Sequence, residues 1–160
     1  MKEVVIHTDG ACLGNPGPGG WAALLRLEGS PHRRELTGGF RLTTNNRMEI
    51  MAVLEGLGAL REPCRVSLYT DSRYVRDAVE KGWLDSWRAK NWRKADNKPV
   101  KNVDLWQRLL PLLTRHQVRF VWLRGHAGHE ENARCDELAG LAARGINLPE
   151  DAGWDGEERQ

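Results

Sequence analysis

Four acidic residues stand at borders between apolar and polar segments, where carboxylates can do chemistry. Two apolar runs end alike, Val-Val-Ile-His-Thr-Asp9 and Val-Ser-Leu-Tyr-Thr-Asp71. Glu49 and Asp136 each lie beside the apolar stripe of a predicted helix. An acid in a turn or in the first turn of a helix is common without any function, so each residue alone carries little weight. Together, four neighbouring carboxylates would repel one another unless a cation joined them.

The chemistry that such a cluster favours is metal-assisted hydrolysis of a phosphodiester. Carboxylate oxygens are hard ligands that suit Mg²⁺, or Mn²⁺ in its place, and both ions also bind substrate phosphate. Two ions roughly 4 Å apart can activate a water molecule and stabilise the leaving oxygen. A zinc site built from His126, His129 and Cys135 is an alternative on ligand type, but the spacing matches no common zinc module.

Hydrophobic periodicity predicts the elements that hold these acids. Apolar runs predict five strands, over residues 4–8, 21–27, 35–42, 65–70 and 119–123. The first three can pair as an antiparallel meander. If the first and fourth strands are parallel neighbours, Asp9 and Asp71 approach the same edge of the sheet.

Helices are predicted between and after the later strands. The first begins near Thr44, with Asn45 or Asn46 as its N-cap, and ends before Pro63. Others are predicted over residues 73–80, 103–113 (interrupted or tightened at Pro111) and 132–143. This order of elements indicates a mixed α/β sheet covered by helices.

Composition excludes several classes of protein. The 160 residues are 40% apolar and 29% charged, which suits one globular domain. No apolar run approaches the roughly 20 residues that span a bilayer, and the N-terminus lacks a signal-peptide pattern. Three widely spaced cysteines favour reduced thiols and a cytoplasmic protein. The glycine-rich stretch 14–20 lacks the Gly-Lys-Ser/Thr ending of a phosphate loop, so we expect no nucleotide cofactor.

Charge is distributed unevenly along the chain. Residues 81–101 hold seven bases and two acids, whereas residues 149–160 hold five acids and one base. The basic segment favours a polyanionic partner. We expect a catalytic domain over residues 1–145 and an acidic, mobile tail over residues 146–160.

Five runs along the chain resemble motifs of one family. They read TDGACLGNPG from Thr8, TTNNRME from Thr43, TDS from Thr70, KPVKNVDLW from Lys98 and GHAGHEEN from Gly125. In this order and with similar gaps, from about residue 4 to 143, they resemble bacterial type-1 ribonuclease H. The resemblance implies a ribonuclease H-like fold, with a five-stranded mixed sheet in the order 3-2-1-4-5 flanked by helices.

The resemblance also implies an activity and its catalytic residues. A monomer would hydrolyse the RNA strand of an RNA–DNA hybrid endonucleolytically, leaving 5′-phosphate and 3′-hydroxyl ends. Asp9, Glu49, Asp71 and Asp136 would hold two Mg²⁺ ions during catalysis. His126, in a loop with glycines at 125 and 128, would assist proton transfer or product release.

Substrate contacts follow from the same resemblance. The RNA side would be sensed at its 2′-hydroxyls, which distinguish RNA from DNA, by Cys12, Asn15, Asn45 and Asn46. A DNA phosphate would be held by Thr44 and Asn102, with Arg41 or Arg47 as the nearby arginine. Residues 81–101 would form a basic protrusion that grips the DNA strand through Trp83, Lys90, Arg93, Lys94 and Lys98.

Two details of these contacts stay open. Trp83 and Trp87 are four residues apart and can equally form the buried face of a short helix. Arg73 stands where the family pattern has glutamine, which leaves that substrate contact undecided.

Two other classes of function remain as alternatives. A non-catalytic hybrid-binding module would keep the basic segment and tolerate loss of the acids, yet all four acids are present. A ribonuclease H-fold nuclease that acts on DNA, such as a transposase, integrase or junction resolvase, usually lacks the Trp-rich basic insertion and the TTNNR run.

Overall fold

The computed structural model describes residues 1–123 and 130–156. Five strands and five helices make up this part of the chain. In chain order they are β1 (Lys2–Cys12), β2 (Gly17–Leu27), β3 (Arg34–Thr43), α1 (Asn45–Gly58), β4 (Cys64–Thr70), α2 (Arg73–Glu80), α3 (Trp83–Ala89), α4 (Val103–Arg115), β5 (Gln117–Trp122) and α5 (Glu130–Ala143). No helix among these residues is long and apolar enough to cross a membrane.

The five strands form one mixed sheet in the order β3-β2-β1-β4-β5. β1 pairs antiparallel with β2, and β2 with β3, through short connections. β1 and β4 are parallel, as are β4 and β5, and helices make these longer connections. The predicted fold class and strand order are confirmed.

Helices cover both faces of the sheet. On one face the main core gathers fully buried side chains from β1, α1 and α4, such as Ile6, Leu57 and Trp106. On the other face α5 packs Cys135 and Ala139 against residues of β2. α1 buries ten of its fourteen residues because it lies between the sheet and α4, so it lacks a polar outer face.

β1 is longer than the sequence predicted. It continues through Asp9 and Gly10 to Cys12 because its antiparallel pairing with β2 extends to Cys12 and Gly19. Its parallel pairing with β4 stops earlier, at His7 and Tyr69. Asp9 therefore lies within β1, just beyond the last residue of β1 that pairs with β4.

Two predicted helix details are wrong. The N-cap of α1 is Thr44, whose side-chain oxygen accepts a hydrogen bond from the Arg47 backbone N–H at 3.2 Å. Asn45 and Asn46 are the first residues of the helix. α4 runs through Pro111 to Arg115 without interruption.

The C-terminal segment, residues 146–156, differs from the expected mobile tail. Asp151 is buried and accepts hydrogen bonds from Thr43 and Arg47. The Arg41 backbone N–H donates to the Pro149 carbonyl at 2.9 Å. These contacts hold the segment against β3 and α1.

Candidate active site

Three of the four predicted acids meet at the edge of the sheet where β4 ends. Asp9 comes from β1, Glu49 from α1, and Asp71 follows β4 directly. One carboxylate oxygen of each lies within 4.8 Å of the others. Asp9 and Glu49 are buried and Asp71 is half-buried.

Glycine permits the close approach of β1 and α1 on which this cluster depends. A Cβ on Gly10 would lie 2.6 Å from the Glu49 backbone nitrogen and 2.7 Å from the Met48 carbonyl carbon. Only a residue without a side chain fits there. The Gly10 N–H also donates to Asp9 Oδ1 at 2.9 Å, which orients that carboxylate.

Asp71 is held by β5 and by the start of α2. The Trp122 indole Nε1 donates to the Asp71 carbonyl oxygen at 3.2 Å, and the Leu123 N–H donates to the Thr70 carbonyl at 2.9 Å. Ser72 caps α2 by accepting from the Val75 N–H at 3.2 Å. The backbone around Asp71 is therefore fixed on both sides.

Asp136 reaches the cluster from the opposite face of the sheet. The neighbouring Cys135 donates its thiol to the His7 carbonyl at 3.3 Å, which anchors α5 to β1 two residues before Asp9. Asp136 is the most exposed of the four acids and makes a side-chain hydrogen bond with Asp9.

Burial and mutual repulsion both oppose ionisation of the cluster. Burial, then the charge of Asp71 and the hydrogen bond with Asp136, raise the pKa of Asp9 from 3.8 to about 8. Burial, then the charges of Asp9 and Asp71, raise the pKa of Glu49 well above its ordinary value. Without a cation these two carboxyls therefore favour their protonated form, and a bound cation would favour the ionised form.

Unpartnered oxygens in the cluster fit a divalent cation. Among the described residues, Asp9 Oδ2 and Glu49 Oε2 are buried and accept no hydrogen bond. Leaving buried carboxylate oxygens unpaired costs several kcal/mol in general, so native proteins normally pair them. A hard cation that takes oxygen ligands satisfies both atoms, and the donor set therefore fits the predicted metal.

Comparison with known proteins identifies the family. The sequence matches the RNase H family model over residues 1–144. The chain belongs to the ribonuclease H family. A ribonuclease H of Nitratidesulfovibrio vulgaris (strain DSM 19637 / Miyazaki F) is 65% identical over 154 residues, which make up 96% of this chain and 97% of that protein. A ribonuclease H of Aeromonas hydrophila is 54% identical and covers 96% and 98%, respectively.

A solved structure agrees with this assignment. LC9-RNase H1, described as a type 1 RNase H with the type 2 active-site motif, is 34% identical and superposes with a TM-score of 0.78. The match covers 90% of this chain and 73% of that chain. Ribonucleases H are metal-dependent nucleases that hydrolyse phosphodiester bonds in RNA–DNA hybrids. The resemblance seen in the sequence is confirmed, and the protein is an enzyme of this class.

The zinc alternative is not supported by Cys135, which is the donor among its three that the structure describes. Burial raises the pKa of the Cys135 thiol, which disfavours the thiolate that zinc requires. The thiol already donates to the His7 carbonyl. His126 and His129 lie outside the described residues, so the predicted role of His126 in this ribonuclease H stays a prediction.

Residues predicted for the RNA side lie together beside the β1–β2 turn. Asn15 Oδ1 accepts from the Asn45 backbone N–H at 3.0 Å, which joins that turn to the start of α1. The Cys12 thiol contacts the carbonyls of Gly17 and Thr43, both at 3.5 Å. Asn46 follows on the first turn of α1 and is half-buried.

Two residues predicted for the DNA phosphate lie at the starts of α1 and α4. Thr44 caps α1, and Asn102 precedes α4 in a left-handed conformation with a φ of 61°. Arg47 is only 2% exposed at its side chain and is paired with Asp104 and Asp151. It is therefore not accessible to a phosphate. Arg41 is exposed, and its role at the phosphate stays a prediction.

The basic segment packs a tryptophan against the core and exposes its cationic side chains. Trp83 is 37% exposed and lies 6.0 Å from Trp87, which is half-buried and lies 6.1 Å from the buried Trp106. Trp87 therefore packs against the core, while Trp83 stays at the surface. The predicted contact bases are all exposed: Lys90, Arg93, Lys94 and Lys98.

Sequence reasoning missed several residues that support the site. Asp104 and Asp151 neutralise Arg47, Tyr74 accepts a hydrogen bond from Asn102 at 3.2 Å, and Trp122 holds Asp71. Asp104 belongs to the KPVKNVDLW run, so its motif gave a signal. Asp151 is one of five acids in the tail, and the sequence does not distinguish it from the others.

Proposed function

We propose that this chain cleaves the RNA strand of RNA–DNA hybrids at the cluster of Asp9, Glu49, Asp71 and Asp136, with 5′-phosphate and 3′-hydroxyl products. The observation that carries the proposal is the meeting of three carboxylates, two of them buried with an unpaired oxygen. Family membership supports the reaction, since the relatives are ribonucleases H. A catalytic unit over residues 1–145 agrees with the extent of the family match.

The four carboxylates are proposed to hold Mg²⁺, two ions during catalysis, with Mn²⁺ as a substitute. When bound, these ions supply Lewis-acid stabilisation and lower the pKa of water. Asp9 and Glu49 contribute the buried oxygens, and Asp71 and Asp136 lie at the open side where substrate enters. The fixed backbone around Gly10 and Asp71 limits the movement of the ligands.

The two strands of the hybrid are proposed to lie on opposite sides of the α1 N-terminus. The RNA strand runs past the β1–β2 turn, where Cys12, Asn15, Asn45 and Asn46 contact its 2′-hydroxyls. The DNA strand is held at a phosphate by Thr44, Asn102 and Arg41, which we call the DNA-phosphate site. Farther along, the exposed bases of the basic segment contact DNA phosphates without reading sequence. His126 is proposed to assist proton transfer or product release.

A non-catalytic binding module is disfavoured by the energetics of the site. Keeping Asp9 and Glu49 buried with unpaired oxygens destabilises the fold, and a binding module gains nothing from that cost. We further propose that the enzyme works as a monomer in the cytoplasm. Its cysteines fit a reducing compartment, since Cys12, Cys64 and Cys135 are all free thiols.

Cleavage of a labelled hybrid tests the proposed function directly. Wild-type protein should cut the RNA strand with Mg²⁺, should not cut with EDTA, and should leave double-stranded DNA and double-stranded RNA intact. Glu49→Gln should abolish cleavage, whereas Glu62→Gln, a matched change of an exposed acid paired with Lys2, should not. Cleavage of the DNA duplex instead of the hybrid would contradict the proposed substrate. Equal activity of the two variants would contradict the proposed site.

A further inference from the structure

The C-terminal segment places a buried carboxylate under the DNA-phosphate site. The Asp151 side chain is 4% exposed. Its Oδ2 accepts from Thr43 Oγ1 and from Arg47 Nε, both at 2.7 Å, and its Oδ1 accepts from Arg47 Nη2 at 3.1 Å. Since ordering a charged chain end costs conformational entropy, these contacts must outweigh that cost.

Arg47 transmits this anchoring to Asn102. Its Nη1 donates to Asn102 Oδ1 at 3.3 Å and to Asp104 Oδ1 at 2.9 Å. The Asn102 Nδ2 donates to the Tyr74 hydroxyl at 3.2 Å. The oxygen and one N–H of the amide are therefore engaged within the protein, and its orientation is set by Arg47 and Tyr74. The second N–H of Nδ2 is the donor that the amide has left for a phosphate.

The same segment contacts another member of the DNA-phosphate site. The Pro149 carbonyl accepts from the Arg41 backbone N–H at 2.9 Å, and the Leu148 carbonyl lies 3.5 Å from Arg41 Nη1. Residues 148–151 therefore contact Arg41 directly and Asn102 through Arg47. The RNase H family match ends at residue 144, before this segment begins.

We propose that Asp151 is a positioning residue for substrate binding, which orients Asn102 through Arg47, while the carbonyls of residues 148 and 149 place Arg41. This inference rests on the proposed function, since it concerns the DNA strand of the hybrid. The competing explanation is a purely structural one, in which Asp151 only stabilises the fold. Positioning predicts a change in the Michaelis constant that a loss of stability alone does not produce.

Steady-state kinetics of Asp151→Asn separate the two explanations. We expect KM for the hybrid to rise on the order of tenfold, which corresponds to one hydrogen bond to a charged group. The kcat should change by less than about twofold, because the DNA-phosphate site binds ground and transition states alike. Val66→Ala, a core truncation in the first half of β4, serves as a control for lost stability. Assayed below both melting temperatures, it should keep the wild-type KM.

A backbone scan of the DNA strand makes the test specific to one contact. Hybrids with a single neutral methylphosphonate at successive DNA positions should reveal one position that raises KM for the wild type. With Asp151→Asn that position should lose its effect, while the positions that contact the basic segment keep theirs. In an Asn102→Ala background, Asp151→Asn should raise KM no further, since the two residues act through one contact.

Several results would overturn the inference. A KM for Asp151→Asn equal to that of the wild type would do so, as would a position scan identical to the wild-type scan. Additive effects of Asp151→Asn and Asn102→Ala on KM would also overturn it, because they would show that the two residues act independently. If Asp151→Asn does not fold, Arg47→Lys tests the same connection between Asp151 and Asn102. One ammonium cannot reproduce the forked contacts that the guanidinium makes with both of these residues. Failure of the wild type to cut any hybrid would refute the proposed function instead.

Discussion

Asp9→Asn should stabilise the metal-free protein even though it abolishes cleavage. Asp9 is 3% exposed, and burial, Asp71 and Asp136 raise its pKa from 3.8 to about 8. Between these two values the unfolded chain has released the proton that the folded chain still holds. Wild-type stability therefore falls as pH rises from about 4 to about 8, and asparagine removes this loss.

The size of the effect follows from the pKa difference. About three of the roughly four pKa units lie below pH 7, and each unit corresponds to about 1.4 kcal/mol, so the cost at pH 7 is on the order of 4 kcal/mol. Asparagine cannot share a proton with Asp136 as Asp9 does, and we therefore expect a gain of about 2 to 4 kcal/mol. For a chain of this length, that gain raises Tm by roughly 5 to 15 °C.

Thermal unfolding followed by circular dichroism in EDTA, from pH 4 to 9, measures this effect. The difference in Tm between Asp9→Asn and wild type should be near zero at pH 4 and should grow until about pH 8. Mg²⁺ should stabilise the wild type but much less the variant. Asp85→Asn, which changes an acid that is 78% exposed, should show no such dependence.

Two outcomes would refute this reasoning. A variant less stable than the wild type at pH 7 would mean that the Asp9 carboxylate is already well compensated within the folded protein. A constant difference in Tm across the pH range would mean that packing, and not ionisation, accounts for the effect. Retention of a tenth or more of the wild-type rate at several Mg²⁺ concentrations would remove Asp9 from the catalytic site.

Three further predictions concern other parts of the proposed site. Neutralising Lys90, Arg93, Lys94 and Lys98 together should raise KM with little change in kcat. The slope of log affinity against log salt, measured in the inactive Asp9→Asn background, should fall by up to about 0.9 for each lost phosphate contact. An unchanged slope would remove the basic segment from the substrate site. His126→Ala should slow turnover by roughly 10²–10⁴ or less, and an unaltered pH–rate profile would indicate a structural role. Gly10→Ala should lower kcat because the added Cβ would displace the Glu49 backbone. Gly58→Ala, whose added Cβ would have nothing within 4 Å, should leave kcat unchanged. Equal kcat for the two variants would show that the close approach of β1 to α1 is dispensable.

The convergence of the acids was predictable because it depends on local patterns. Once β1 and β4 are parallel neighbours, Asp9 and Asp71 meet at the same end of the sheet, because Asp71 follows β4 in sequence. Glu49 is placed by its offset from the apolar stripe of α1. The strand order itself came from the family resemblance, since periodicity does not determine which strands are neighbours.

The parts that could not be predicted depend on long-range contacts. Continuation of β1 through Asp9 and Gly10 requires the register with β2, which no local rule supplies at an Asp-Gly pair. The pairing of Arg47 with Asp151 joins residues 104 positions apart. The composition shows that residues 149–160 are acidic, but it cannot show which of their five acids pairs with the buried Arg47.

Pairing Arg47 with two carboxylates also preserves the charge of the metal site. Arg47 and Glu49 are two residues apart on α1 and point in roughly opposite directions. Burial alone would lower the pKa of Arg47, but hydrogen bonds to Asp104 and Asp151 outweigh burial and raise it, so the guanidinium stays charged. Asp104 and Asp151 balance that charge locally. The positive charge of Arg47 is thus paired with Asp104 and Asp151 and not with the Asp9 and Glu49 carboxylates, so one helix can serve the proposed metal site on one side and the proposed DNA-phosphate site on the other.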